Sequence, residues 1–337
     1  MHRAQKIWFD FTNPPHVNFF LPLIKHFQRE GYNVDLTARE FVETVKLLQR
    51  NDLSFRVFGK HGGRKRLSKV WSLVSRELKL LSNVKDFDFS FCSNYEAPVA
   101  SWFKGKTSLV FDDNDISPNW LYAKFAKYVV SPSAIDKEAM FRMGINKDQL
   151  ITYDGFKEDI YIADYIPDSE FLRKIPFSEF VTVRPENIKA SYVPPGRKSI
   201  VPQLIKLLLQ KGLNVLYLPR YESDREYIEA SDQIFIPDGP LNGLDVSYYS
   251  IAVLTGAGTF SREAAVMGTP AVSFFAGDQF LGVDKKMFKD NWVHYSRDPK
   301  DIVSFVLNSK KKNINQTKSK EVQKELFEML SMIMNKI

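Results

Sequence analysis

Two doubly wound α/β domains, each a parallel sheet covered by helices on both faces, are the architecture this sequence predicts. Short apolar runs of strand length alternate with amphipathic stretches of helical spacing, the pattern of strands joined by crossover helices. The chain has 337 residues, more than one compact core usually holds. The alternation also pauses once, over Asp154 to Ser178, a polar and aromatic stretch containing Pro167 and Pro176.

In the first domain, residues 1–157, Lys6 to Thr12 is apolar enough for a buried strand, and Pro14 and Pro15 then make a loop. Amphipathic spacing from about Val17 to Glu30 predicts a helix that Gly31 stops. The same reading gives strand Asn33 to Thr37, helix Phe41 to Gln49, strand Ser54 to Phe58 and a long helix Ser68 to Val84. Strand Phe87 to Cys92 and helix Ala97 to Phe103 follow. Strands Ser108 to Phe111 and Tyr128 to Val130 flank Asn119 to Lys127, and helix Ala134 to Arg142 and strand Leu150 to Tyr153 close the set.

Residues 158–178 read as a connector. The alternation resumes in residues 179–309 with strand Phe180 to Val183, helix Ile200 to Gln210, strand Asn214 to Leu218, helix Asp224 to Ala230 and strand Gln233 to Ile236. Leu244 to Tyr249 precedes strands Ile251 to Leu254 and Ala271 to Phe275. Trp292 to Tyr295 and Ile302 to Leu307 complete this domain. In residues 310–337 a basic stretch leads to a helix over Glu321 to Lys336, carried by Val322, Leu326, Met329, Leu330 and Ile333.

Composition narrows the function. Hydrophobic residues make up 44% and charged residues 26%, the balance of a soluble protein with real cores. No run approaches the roughly 18 apolar residues of a membrane span, and Asp10 and Asn13 interrupt the N-terminal apolar stretch, so a cytoplasmic protein without a leader is expected. The 1 cysteine, Cys92, lies in the strand-like run FDFSFCS and reads as a buried structural thiol. A net charge of +7 suits nucleotides, phospholipid headgroups or nucleic acid alike. The absence of a recognition motif or an aromatic stacking platform argues against nucleic acid.

The most informative stretch is Tyr249 to Phe275, YSIAVLTGAGTFSREAAVMGTPAVSFF. Gly256 and Gly258 allow positive φ or close backbone approach, and Thr259 or Ser261 is placed to cap the helix that follows. Gly268 and Pro270 end it. A strand, a Gly-rich turn and a helix N-terminus aim free N–H groups and a positive dipole end at one spot, which suits phosphate. Glu263, one turn into that helix, is positioned like an acidic residue that accepts hydrogen bonds from a ribose diol. The bland alternative is a tight strand-to-helix connection.

The pattern G-x-G-T, R-E-A-A, G-T-P resembles the nucleotide-sugar half of GT-B glycosyltransferases and of UDP-N-acetylglucosamine 2-epimerases. The opening, KIWFDFTNPPHVNFFLPLIKHFQREGYNVDLTAR, with VTVRPENIKASYV at Val181 to Val193, resembles a mainly archaeal family catalogued as domain of unknown function 354 (DUF354), whose members are expected to be GT-B-like glycosyltransferases. The resemblance implies a GT-B-like fold, two Rossmann-like domains facing a central cleft. It also implies a last helix that returns to the first domain and braces that cleft; a free coiled-coil helix is the alternative.

Within that frame the residues just after each strand carry the chemistry. His16, with Asn13 and Asn18, follows the first strand. Its titration range suits a base that takes a proton from an acceptor hydroxyl, and the resembling transferases keep a histidine there, although a loop histidine also serves as a helix N-terminal hydrogen-bonding group. Asn13 and Asn18 are expected to orient substrate hydroxyls, or to serve as ordinary turn residues. Arg184 and Arg220, at strand ends of the second domain, are guanidinium forks suited to a pyrophosphate and its stabilisation as leaving group without a metal, or to surface salt bridges. Pro185 through Lys189 and Ser191 continue that loop, where the resemblance suggests substrate contact. It also assigns Asp278 and Gln279 to the donor sugar, with Asp284 and Lys285 as further candidates.

Two segments tempt other readings. FDDNDISP, Phe111 to Pro118, has close-spaced carboxylates that suit Mg²⁺ or Mn²⁺, but helix initiation through Asp115 to Ser117 and acceptor binding are favoured; no metal and no obligatory cofactor are expected. Lys60 to Lys79 joins basic residues to an amphipathic helix with Leu67, Val70, Trp71, Leu73 and Val74. Peripheral contact with the inner membrane face or a lipid phosphate is one reading, and a partly buried helix with a solvated polar face is the other.

A glycosyltransferase using a nucleotide-activated sugar, UDP-linked by preference, with a glycan or lipid-linked acceptor, is the leading expectation. A 2-epimerase is the alternative. It would rely on Glu96, yet VRPEN lacks the histidine–arginine pairing expected of that enzyme. A non-catalytic binding or membrane-associated protein is the third.

Overall fold

The computed structural model describes residues 4–41, 43–60, 66–117 and 120–336. The chain forms two compact units, Met1–Tyr161 with Lys320–Ile337, and Ile162–Ser319.

Unit one begins with β1 (Lys6–Phe11), α1 (Pro14–Arg29), β2 (Asn33–Glu40), α2 (Thr44–Arg50) and β3 (Arg56–Lys60). It continues with α3 (Arg66–Asn83), β4 (Phe89–Cys92), α4 (Glu96–Phe103), β5 (Thr107–Phe111), α5 (Trp120–Phe125), β6 (Tyr128–Pro132), α6 (Lys137–Arg142), β7 (Leu150–Tyr153) and α7 (Lys157–Ile162). The strands form one 7-stranded sheet in the order β3-β2-β1-β4-β5-β6-β7, parallel throughout. Chain direction across the sheet reverses between β1 and β4, so the loops after these two strands part and leave a crevice at their carboxyl ends.

The apolar runs form strands because both faces are covered. Trp8, Phe87, Val110 and Val129 are buried on one side, and Phe9, Phe20, Phe91 and Phe111 meet edge-on or tilted on the other. Cys92 is fully buried, and burial holds its thiol well above its ordinary pKa, as a structural role requires.

Unit two holds a 3₁₀ turn (Phe171–Lys174), β8 (Val181–Arg184), α8 (Val201–Gln210), β9 (Val215–Tyr217), a second 3₁₀ turn (Glu222–Tyr227), β10 (Ile234–Phe235) and α9 (Gly243–Tyr249). Then come β11 (Ala252–Thr255), α10 (Gly258–Val266), β12 (Ala271–Ser273), α11 (Gly282–Lys289), β13 (Val293–Tyr295) and α12 (Pro299–Asn308). Its 6 strands run β10-β9-β8-β11-β12-β13, again parallel, with the reversal between β8 and β11. A last helix, α13 (Gln316–Asn335), contributes residues 320–335 to unit one. There Phe327 stacks on His26 at 4.3 Å and the Gln323 side chain donates to the Ile160 carbonyl at 2.8 Å.

Several local expectations needed correction. The first helix begins at Pro14, because prolines in the first turn have no N–H to lose and a helix-ready φ. His16 is therefore helical, not in the loop, and Asn18 lies in the helix as its position after Val17 implies. The connector contains α7, and the loop after β12 leads into α11. The expected helix Asp224 to Ala230 is only a 3₁₀ turn. Neither Thr259 nor Ser261 caps α10: Ala257 is its extended N-cap residue, without a side-chain cap. Thr255 Oγ1 instead accepts the Ala257 N–H at 2.9 Å.

Candidate functional site

At the carboxyl edge of unit one lies a cavity of about 370 Å³ whose lining includes Asn13, His16, Asn94, Glu96, Asp112, Asp113, Tyr122 and Lys157. The switch point between β1 and β4 opens it, and the loops after β5 and β7 enlarge it. Asn13 is the extended N-cap residue of α1 and makes no side-chain cap bond, so its amide is not committed to the helix. Asn18 lies further along α1, outside the lining residues.

His16 stands in the first turn of α1, with Nδ1 at 3.5 Å from Thr12 Oγ1. Part of the ring opens to the cavity, yet enclosure by protein and then the charge of Lys157 bring its pKa down to about 3. The titration range expected for a base near neutral pH is thus not the one this environment sets: the imidazole is held neutral and accepts a proton reluctantly.

Asp112 moves the other way. Burial pushes it up to about 7, against the opposing hydrogen bond from Tyr122, with Asp113 adding repulsion. The Tyr122 hydroxyl donates to Asp112 Oδ2, and the Asn114 N–H donates to Oδ1 at 3.0 Å. Asp113 pairs with Lys157 at 2.7 Å. Asp115 turns away and accepts the Asp136 N–H at 2.7 Å, supporting the start of α6. The acidic run thus divides between lining the cavity and shaping its rim. Among the described residues, no three His, Cys, Asp or Glu side chains are grouped to hold a metal ion.

Beneath the cavity is a charged network that sequence reasoning missed. Asp10 is fully buried on β1. It accepts hydrogen bonds from Thr37 at 2.5 Å, Arg76 at 2.6 Å and Asn94 at 2.8 Å. Glu96 lies 3.2 Å from Arg76 and 3.6 Å from Arg39; burial raises its pKa while Arg76 opposes the rise. The available signal was Asp10 itself, a charge inside the apolar strand KIWFDF, which a buried sheet tolerates only with partners.

In unit two the switch point brings together residues far apart in sequence. Arg184 ends β8 and is paired in register with Thr255 of β11, immediately before Gly256. Its guanidinium carbon sits 5.9 Å from the Phe260 ring centre, and its buried Nε has no hydrogen-bond partner. Burial, then the charge of Arg220, brings the Arg184 pKa down to about 10, with Glu263 acting the other way. Arg220 is oriented by its own Nε, which donates to the Pro185 carbonyl at 3.2 Å. Glu263 is buried on α10, with Oε2 4.0 Å from where a Cβ on Gly243 would lie.

The glycines serve close approach rather than positive φ. A Cβ on Gly256 would come 2.5 Å from Glu186 Cα, and one on Gly258 would come 3.1 Å from Arg262 Nη1. Glu186 is internal, accepting from Ser199 at 2.7 Å and from the Ile200 N–H at 3.2 Å, so this part of the β8 loop is structural. The first N–H groups of α10, at Gly258, Thr259 and Phe260, have no intrahelical acceptors by construction. Ser261, one position on, donates its hydroxyl to the Gly258 carbonyl at 2.8 Å. Arg262 is buried and paired with Asp284 at 2.7 Å, giving Asp284 a bracing role. Asp278 is exposed and paired with Arg197 at 2.6 Å, while Gln279 and Lys285 are exposed.

Arg184, Arg220, Glu263, Gly256 and Gly258 are therefore gathered at one sheet edge. Two cations, dipole-bearing N–H groups and a carboxylate form a set that can bind a phosphorylated ligand with hydroxyls nearby.

The fold has close structural counterparts. The UDP-GlcNAc 2-epimerase from Methanocaldococcus jannaschii superposes with a TM-score of 0.71 at 12% identity, over 97% of this chain and 100% of its own. UDP-N-acetylglucosamine 2-epimerase from Rickettsia bellii gives 0.73 at 10% identity, over 99% and 98%. Anabaena Alr3699/HepE, solved with UDP and glucose, gives 0.59 at 14% identity, over 98% and 100%. At these identities the likeness establishes the two-domain, GT-B-like Rossmann fold. In sequence, an uncharacterized protein of M. jannaschii is 28% identical over 313 residues, 89% of this chain and 90% of that protein. The family model described as protein of unknown function, DUF354, matches residues 5–337; the chain belongs to this family.

Proposed function

We propose that this protein is a glycosyltransferase that moves a sugar from a UDP-linked donor to a glycan or lipid-linked acceptor. Unit two takes the diphosphate through Arg184, Arg220 and the N-terminus of α10, and Glu263 takes the ribose hydroxyls. The observation that carries this reading is Arg184: its buried Nε lacks a partner and its charge is opposed by Arg220. A diphosphate would answer both deficits and, as leaving group, would be stabilised without a metal. In unit one the acceptor occupies the cavity beside His16, Asn13 and Asp112, and a carboxylate poised near neutrality deprotonates its hydroxyl. We place the reaction in the cytoplasm; no described helix is long and apolar enough to cross a membrane.

A second reading, nucleotide-sugar 2-epimerisation, is favoured by the raised carboxyls Asp112 and Glu96 in the same cavity, since that reaction must remove and return protons. Thermal unfolding with UDP, UDP-GlcNAc and GDP-sugars tests donor binding. A ligand at about a hundred times its Kd stabilises by roughly 2.7 kcal/mol, and Glu263→Ala or Arg184→Ala should abolish the shift. Product analysis then separates the reactions. A sugar transferred only when acceptor is supplied supports the transferase, and a 2-epimer formed from UDP-GlcNAc alone overturns it. Binding without turnover in either assay leaves a sugar-nucleotide sensor.

A further inference from the structure

Helices α3, α4 and α5 lie side by side on one face of the unit-one sheet, and their outer surface is unusual. Trp71 is 74% exposed, Leu78 61%, Trp102 56%, Phe103 63% and Trp120 64%. Thus 3 of the chain's 5 tryptophans stand in solvent on three adjacent helices. Among the described side chains of α3 the exposed apolar residues are Trp71, Val74 and Leu78, spaced i, i+3, i+7 and so on one stripe. The stripe is tied to its neighbour where Lys104 donates to the Leu81 carbonyl at 2.7 Å. Trp102 meets Phe125 of α5 at 5.4 Å. Exposed apolar patches of this kind mark interaction sites.

The charges around the rings select the occupant. Among the described residues from 66 to 128 on these helices and the turns that follow them, the exposed cations are Lys79, Lys85, Lys124 and Lys127, and the exposed acid is Asp86. Lys124 and Lys127 lie over the Phe125 and Tyr128 rings at 5.9 and 5.7 Å. Lysine is depleted from the cores of protein–protein contacts. Tryptophan, phenylalanine and leucine ringed by lysine suit the headgroup region of an anionic bilayer, where rings enter the acyl boundary and ammonium groups meet lipid phosphates. We propose that this face of unit one docks on anionic membrane surfaces. The expected contact through Lys60 to Lys79, of which residues 61–65 lie outside the described residues, thereby widens to a surface spanning three helices. Arg76 of that segment takes no part, because it is buried.

The test uses the full-length protein with vesicles of phosphatidylcholine alone or mixed with phosphatidylglycerol, followed by co-sedimentation and tryptophan emission. Binding to the anionic vesicles alone, with a blue shift and release by salt, is expected. The set Trp71→Ser, Trp102→Ser, Phe103→Ser should weaken it by roughly tenfold or more. The charge reversals Lys79→Glu, Lys124→Glu, Lys127→Glu should weaken it comparably and, being fully surface changes, leave far-UV circular dichroism unaltered even if the aromatic set perturbs folding. No association with anionic vesicles, or association indifferent to both sets, overturns the proposal. So does a lipid-free dimer in light scattering that the aromatic set dissociates, since the face would then belong to a second copy.

Discussion

Arg76 of α3 and Asp10 of β1 form a salt bridge of 2.6 Å with both side chains excluded from water. The pair joins helix to sheet, and Arg76 also donates from Nε to the Phe58 carbonyl at 2.9 Å. Removing one partner leaves a buried charge uncompensated, which costs about 3–5 kcal/mol. Arg76→Met should lower the urea midpoint accordingly. Adding Asp10→Asn should recover part of the loss, because the two effects are coupled.

Arg184 is expected to weaken the protein while serving its ligand. Its pKa near 10 lies below the ordinary arginine value, so the unfolded state holds the proton more tightly and the penalty is fully present at neutral pH. Arg184→Met, which retains packing against Phe260, should therefore stabilise the ligand-free protein by on the order of 1 kcal/mol, after discounting for partial exposure. The same substitution should raise the Kd for UDP at least about tenfold. Calorimetry of both forms measures the two effects together.

Asp112 sets the pH dependence. Its folded pKa of about 7 exceeds the unfolded value, so the native state binds more protons between roughly pH 4 and 7, and stability falls as pH rises through that window. Asp112→Asn should raise Tm more at pH 8 than at pH 5. If Asp112 is the acceptor's base, kcat/KM rises with pH through about 7 and this limb disappears in Asp112→Asn. His16→Gln should leave the limb in place, since His16 titrates near 3.

Gly256 is required by contact rather than by φ. A methyl group there would meet the Glu186 backbone at 2.5 Å, and backbone does not step aside as a side chain does. Gly256→Ala should destabilise by about 3 kcal/mol, read as a reduced denaturation midpoint. Gly31→Ala offers a control of another kind: Gly31 has φ +87 with nothing within 4 Å of the new Cβ, so its cost comes from backbone strain alone.

Local pattern by itself determined the alternation of strands and helices and the two-domain architecture, because short continuous apolar runs and period-3.6 stretches are written in neighbouring residues. It likewise marked the strand–turn–helix at β11 and α10, since Gly256 and Gly258 sit between two apolar runs. It failed where local signals were weak: α7 lies in an aromatic, polar segment, and α11 follows a loop whose side chains suggested ligand contact.

Tertiary structure alone decided the electrostatics and the surfaces. Arg76 looks basic and available within its stretch of sequence, yet it is buried against Asp10, 66 residues away. His16 looks like a neutral-pH base, and burial together with Lys157 makes it a weak one, while Asp112 is carried toward neutrality by the same enclosure. The face bearing Trp71, Trp102 and Trp120 exists only because α3, α4 and α5 pack side by side. Burial and charge act through space between residues that folding makes neighbours, and no short window of sequence contains them.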